Sequence, residues 1–232
     1  MTSLAPVEKS NLSSRVYDEI RSALMNGQYV PGDRLRISEL AASLGTSPTP
    51  VREAIFRLVS EQALQMTAAT AITVPELGPE TVSEIQLIRR LLEGASAEAA
   101  ALKVTQREIL ELRQINDEFI QSVWKSPREA AQLNRTFHFA LVNAAKLPNL
   151  YTVVESLWVR MGPLLHIFHT ELRADRIDLN SHPHYRVLEG LEGRDPVKTA
   201  DAIRADIQWG ETVLLDWMRQ REAEDIRQVQ HG

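Results

Sequence analysis

The segment after residue 79 constrains the fold most, because its apolar residues recur with the spacing of α-helices and form no β-pattern of comparable strength. Only short breaks interrupt this spacing, and they contain proline or glycine. About two thirds of the chain is therefore predicted to be a bundle of helices. We expect these helices at residues 80–102, 105–124, 127–145, 149–173, 182–192 and 196–228.

The N-terminal part has a different organisation, and we place the boundary between residues 76 and 77. A helix at 12–25 is followed by a glycine- and proline-containing break and a short helix at 38–44. A further helix and two β-prone pieces between 64 and 75 complete the order of a winged helix-turn-helix. The predicted fold class is mainly α, with an N-terminal winged helix-turn-helix domain at residues 1–76 and an all-α helical bundle at residues 77–232.

The helix after residue 47 begins with residue types that can contact DNA. Ser47 can act as its N-cap, and Pro48 and Pro50 then occupy first-turn positions whose N–H groups would lack an intrahelical partner. Arg52 lies near the start of this helix, where an arginine can pair with guanine while a serine or threonine contacts phosphate or base. The order of elements alone leaves open a compact three-helix domain without a DNA-binding role.

The charge distribution restricts how the chain could bind DNA. Residues 1–75 carry seven basic and seven acidic side chains, and the remainder carries the whole net charge of −5. DNA binding would therefore need a local basic patch. Four of the seven basic residues are arginines between residues 34 and 57.

Composition excludes several classes of protein. The chain has no cysteine, which excludes a disulfide scaffold, a thiolate nucleophile and a cysteine-ligated metal. It has no run of 18 apolar residues and no N-terminal signal-peptide pattern. We expect a cytoplasmic protein.

The run from Pro31 to Leu64 resembles the DNA-binding domain of the GntR family of bacterial transcription regulators. The resemblance rests on the PGxxL turn, the LAxxLG helix and the SxTPVREA motif from Ser47 to Ala54. It implies DNA contacts by Arg34, Ser47, Thr49 and Arg52. Three positions differ from the common family pattern: Pro48 replaces a frequent arginine, Ala63 replaces a glycine, and Ala69-Thr70-Ala71 stands where an Arg-Gly wing tip is common.

Four polar residues lie among apolar neighbours on three predicted helices of the second domain. Burying such groups without partners is costly, so they are expected to share a polar centre. Two imidazoles, a carboxylate and an amide oxygen suit a divalent metal such as Zn, Ni, Mn or Fe. A metal-free pocket that binds its ligand by hydrogen bonds is the alternative, and each residue taken alone could be a satisfied core residue. The four residues are Asn134, His138, His184 and Asp206.

This second domain resembles the FCD effector-binding domain of the FadR-like branch of the same family. The resemblance rests on the IRRLLE motif that begins at Ile88, on NxxFH from Asn134 to His138, and on His184 followed by LxxRD from Leu191. Members with a metal centre use one aspartate and three histidines. At the corresponding positions this chain has Asn134, His138, His184 and Asp206, so two ligand types differ while their summed charge is the same.

Other residues are candidates for binding an effector. Arg89 lies beside an apolar helical stripe, and its guanidinium could bind a carboxylate, although a salt bridge to Glu93 is an equal alternative. His166 and His169 flank another apolar stripe and could line the same pocket or lie on the helix surface.

Together these patterns predict a transcription repressor that binds an inverted-repeat operator as a homodimer and responds to a small organic acid. Two other classes of function stay open at this point. A metal-dependent enzyme would turn over candidate acids, and a helical adaptor protein would not retard operator DNA.

Overall fold

The computed structural model describes residues 11–68, 71–171 and 181–231 of the 232-residue chain. The described part of the first domain contains three helices and three short strands. These elements are α1 (Asn11–Met25), β1 (Arg34–Leu35), α2 (Ile37–Ser43), α3 (Pro48–Ser60), β2 (Gln65–Ala68) and β3 (Ala71–Thr73).

The second domain is helical throughout its described part. Where they fall on described residues, the predicted breaks lie at the observed helix ends, because prolines occupy the first turns of several helices and polar side chains cap some of them. The helices are α4 (Pro79–Lys103), α5 (Gln106–Ser122), α6 (Pro127–Ala144), α7 (Pro148–Glu171), α8 (Pro183–Glu192) and α9 (Pro196–His231).

The sheet of the first domain is antiparallel with the strand order β1-β3-β2. The hairpin of β2 and β3 agrees with the sequence prediction, whereas β1 was not predicted. This strand has two residues and pairs Leu35 with Ile72, and a segment so short carries no periodic signal. The tip of the hairpin, where the wing differs from the family pattern at Ala69 and Thr70, lies outside the described residues.

Helix α3 buries one face against the rest of its domain. Val51, Ala54, Ile55 and Leu58 are at most 2% exposed and pack against α1. The prolines at the start of α3 fit the first turn as predicted. The opposite face of α3 is therefore presented to the outside of the domain.

The two domains contact each other through α1 and α7. Val159 of α7 belongs to the apolar cluster of the first domain, and Arg21 of α1 donates two hydrogen bonds of 2.7 Å to the carboxylate of Glu155. At Gly162 the helix backbones approach so closely that a Cβ atom there would lie 2.8 Å from Cα of Met25. The position requires glycine.

No helix in the described ranges has the length and apolar character needed to cross a membrane.

Replacement of Gly162 by alanine tests this interdomain contact. Alanine favours a helix interior by about 1 kcal/mol over glycine, so a stability gain would be expected in the absence of the contact. The close approach of Met25 should instead make Gly162→Ala destabilising by about 1–3 kcal/mol in urea unfolding. Gly210→Ala is the matched control, because its added Cβ meets nothing within 4 Å and it should stabilise the protein. Equal stabilisation by both variants would contradict the packing of α1 on α7.

Candidate functional site

Three helices of the second domain bring two histidines and an aspartate together. His138 lies on α6, His184 in the first turn of α8 and Asp206 on α9, and all three are buried. One ligand atom from each residue lies within 4.8 Å of the ligand atoms of the other two. The prediction that these three residues converge therefore agrees with the geometry.

His138 lies between two carboxylates. Its Nδ1 is 2.6 Å from Oε2 of Glu93, and its Nε2 is 3.0 Å from Oδ2 of Asp206. Burial alone would lower the pKa of His138, but the negative charge of Glu93 and the hydrogen bond to Asp206 raise this pKa to about 9. Without a metal, His138 is therefore a buried cation at neutral pH.

Glu93 binds His138 and also accepts hydrogen bonds from two other side chains. It is fully buried and accepts hydrogen bonds from Nε of Arg89 at 2.7 Å and from Nε1 of Trp158 at 3.2 Å. Burial would raise the pKa of Glu93, but the charges of Arg89 and His138 lower it to about 2. Glu93 is thus ionised and fixes the orientation of the His138 ring.

His184 has one ring nitrogen paired and one free. Its Nδ1 lies 3.2 Å from Oδ1 of Asn116, while its buried Nε2 has no hydrogen-bond partner among the described residues. Burial lowers the pKa of His184 well below its ordinary value, so the ring is neutral. With Nδ1–H donating to Asn116, Nε2 carries a lone pair and lies 3.8 Å from Oδ1 of Asp206.

A third histidine belongs to this cluster and was not predicted. Nε2 of His182 lies 3.7 Å from Oδ1 of Asp206, and its ring is 4.4 Å from the ring of His184. His182 precedes α8 as its N-cap, so it lies outside the helical face on which the prediction was based. The pattern His182-Pro183-His184 was the signal that could have found it.

A cavity of about 80 Å³ adjoins the cluster and could hold several water molecules or a small ligand. Asn134 lies half-buried in its wall, one helical turn from His138. His184 belongs to the cluster but is not among the residues that line the cavity. The polar and aromatic side chains of the lining include Arg89, Asn134, His138, Trp158, His182, Asp206 and Trp209.

The proposed effector residues have different locations. Arg89 lines the cavity and forms the buried salt bridge to Glu93 that the sequence left as the alternative. His166 lies in a separate, smaller cavity at the domain junction, where a Cβ atom on Gly27 would clash with its ring. The side chain of His169 lies outside the described part of the structure.

The four predicted DNA contacts are all exposed on the first domain. Ser47, Thr49 and Arg52 are exposed at the start of α3, and Arg34 is exposed on β1. Arg34 and Arg52 line the same open groove. The side chain of Ser47 makes no capping hydrogen bond, so its hydroxyl is available to another partner.

Comparison with known proteins identifies both domains. Residues 12–74 match the model of "Bacterial regulatory proteins, gntR family", and residues 84–208 match that of the "FCD domain". The chain is a member of the GntR family with an FCD domain. This result confirms the family, the fold class and the DNA-binding role expected from the sequence.

The relatives are named as transcription regulators and not as enzymes. The HTH-type transcriptional regulator McbR of Escherichia coli (strain K12) is 34% identical over 80% of this chain and 84% of the relative. A protein of Paenarthrobacter nicotinovorans, named "Probable D-xylose utilization operon transcriptional repressor", is 27% identical over 81% of this chain and 82% of the relative. The regulator interpretation is therefore confirmed over the enzyme alternative.

Solved structures of related regulators have the same fold. The structure of E. coli McbR/YncC has a TM-score of 0.82 and 31% sequence identity, with 90% of this chain and all of that chain covered. A GntR-type regulator from Rhodococcus sp. RHA1, which is 20% identical, shares the fold with a TM-score of 0.70 over 88% of this chain and 97% of that chain.

Proposed function

We propose that residues 1–76 bind operator DNA and that residues 77–232 bind a small organic acid that controls this binding. The main observation behind this proposal is the cavity of the second domain. Buried cationic side chains and carboxylates lie beside a space large enough for a small ligand. Small-molecule sites combine such concave apolar walls with a few fixed polar groups. In this proposal the protein acts as a repressor, in the cytoplasm where its operator lies.

The exposed start of α3 supports a recognition helix. Its first residues can approach base edges in the major groove, as in other helix-turn-helix proteins. Arg52 would bind a guanine, while Ser47 and Thr49 would contact phosphate or base and Arg34 would contact the backbone from β1.

Replacement of Arg52 by alanine tests this assignment. The side chain is exposed, so the fold should be unchanged in circular dichroism. Specific operator affinity should fall by a factor of about 10 to 100, as for loss of a bidentate guanine contact. Arg107→Ala, a change at an 88% exposed arginine on α5, should leave operator binding unaltered in gel retardation. Wild-type specific affinity in Arg52→Ala would contradict α3 as the recognition helix.

The histidine cluster supports a divalent metal site. The free lone pair of His184 and the carboxylate of Asp206 are suitable donors, and Nε2 of His138 would become one on losing its proton. Glu93 and Asn116 hold the other ring nitrogens of the two histidines, as outer partners of metal-bound imidazoles do. His182, whose Nε2 lies 3.7 Å from Oδ1 of Asp206, and Asn134 in the cavity wall are the further donors in this proposal. A bound Zn, Ni, Mn or Fe ion would supply positive charge and open positions for a carboxylate.

Metal content tests this site directly. Elemental analysis of purified protein should find close to one divalent metal per chain, and His184→Ala should lose most of it because a donor is removed. His166→Ala is the matched control, since this histidine lies in the other cavity, and it should keep the wild-type metal content. Equal metal content in wild type and His184→Ala would rule out the site.

The organic acid would bind beside this cluster. Arg89 is already paired with Glu93, and its guanidinium carbon lies 3.9 Å from the centroid of the Trp158 ring, so Arg89 forms part of the cavity wall and is not a free fork for the acid. Trp158 and Trp209 line the cavity, and carboxylates that bind there should change tryptophan fluorescence. A set of small carboxylates that leaves the fluorescence of the metal-loaded protein constant would contradict this part of the proposal.

Helix α6 connects the cavity with the DNA-binding domain. Asn134 and His138 face the cavity, while Arg135 donates to the carbonyl oxygen of Met25 at 2.6 Å and to Oδ1 of Asn26 at 2.7 Å, at the end of α1. An effector can change DNA affinity only through its preference between two arrangements of the domains. Arg135 is the side chain through which a displacement of α6 would move α1.

The proposed homodimer has a candidate interface on α4. Leu87 and Leu91 are 48% and 61% exposed and lie one helical turn apart, so a second copy of the chain could pack against both. Light scattering should give about twice the chain mass of 26.2 kDa, and a single-chain mass would contradict the dimer.

A further inference from the structure

Phe56 is an exposed aromatic residue on the outer face of α3. Its side chain is 52% exposed, and it does not belong to the apolar cluster of its domain. At 100° per residue it lies between Thr49 and Arg52 around the helix, one turn beyond Arg52. Phe56 therefore offers an apolar surface beside the exposed residues at the start of α3.

The surroundings of Phe56 show which kind of partner fits. It lines the groove that also contains Arg34, Arg36 and Arg52, with Met66 and Ile72 of the hairpin at its apolar side. Three arginines around one groove suit a polyanion, and a major groove about 12 Å wide admits a whole α-helix. Duplex DNA is the partner that matches both the charge and the position on α3.

We propose that Phe56 determines operator specificity by contacting the 5-methyl group of a thymine. Among the groups that base pairs present in the major groove, the thymine methyl is the apolar one, and phenylalanine is suited to contact it. Phe56 lies about 6 Å along the helix axis from Arg52, which corresponds to about two base-pair steps of 3.4 Å. The inference rests on the proposed role of α3 and adds a second base preference next to that of Arg52.

A comparison of thymine with uracil tests the contact, because the two bases differ only in this methyl group. Operator sites are first selected from random duplexes with the full-length wild-type protein, and each thymine is then replaced by uracil in turn. For wild-type protein, one position in each half-site should weaken binding about fourfold per methyl group, as expected for burying one such group. Fluorescence anisotropy gives the affinities.

The variant Phe56→Ala tests whether the preference for thymine over uracil depends on this side chain. It should bind the thymine operator several-fold more weakly and should no longer distinguish thymine from uracil at that position, while Phe56→Leu should keep part of the preference. Thermal unfolding should be unchanged, because the side chain is outside the core. Leu110→Ala, at a 57% exposed residue on α5, is the control and should retain the wild-type response.

Two results would overturn the inference, and they differ in scope. If Arg52→Ala loses specific binding while Phe56→Ala keeps the full thymine preference, Phe56 has no such contact and the recognition helix stands. If neither variant changes the selected sequence, the assignment of α3 fails together with this inference.

Discussion

The buried carboxylate of Glu93 is the interaction on which the second domain depends. A carboxylate without contact with water is strongly unfavourable unless charged donors compensate it, and here Arg89, His138 and Trp158 all face it. These donors come from α4, α6 and α7, so one ionised group holds three helices in register. Loss of its charge would leave two buried cations without their main partner.

This arrangement also explains how a core can serve as a binding site. Because Glu93 fixes Nδ1 of His138, the ring directs Nε2 at Asp206, and Asn116 does the same for His184. The cavity wall is thereby preorganised before any ligand arrives, which lowers the cost of binding. Close packing continues from this wall through Trp158 and Leu165, which line both the main cavity and the small cavity beside α1. A structural change at the main cavity can therefore be transmitted through these two side chains to the small cavity beside α1.

Sequence analysis predicted the helices well because amphipathic spacing and proline-containing breaks are local signals. It also placed His138, His184 and Asp206 correctly on inward faces, since apolar neighbours at helical spacing define such faces. Asn116 and His182 were missed for different reasons. Asn116 lies on a helix for which no partner was considered. The predicted helix 182–192 included His182 and would have turned it about 200° away from His184, whereas in the structure His182 is the N-cap of α8. The position of His166 at the domain junction depends on how α7 packs against α1, which helical spacing does not encode.

The most direct test of this account is the protonation of His138 in metal-free, full-length protein, measured by ¹⁵N NMR of labelled histidine. Flanked by two carboxylates, its ring should carry protons on both nitrogens at pH 7.5 and titrate near pH 9, with the charged form present below that pH. A neutral His138 at pH 7.5 would show that Glu93 and Asp206 do not enclose it, and would contradict the central arrangement.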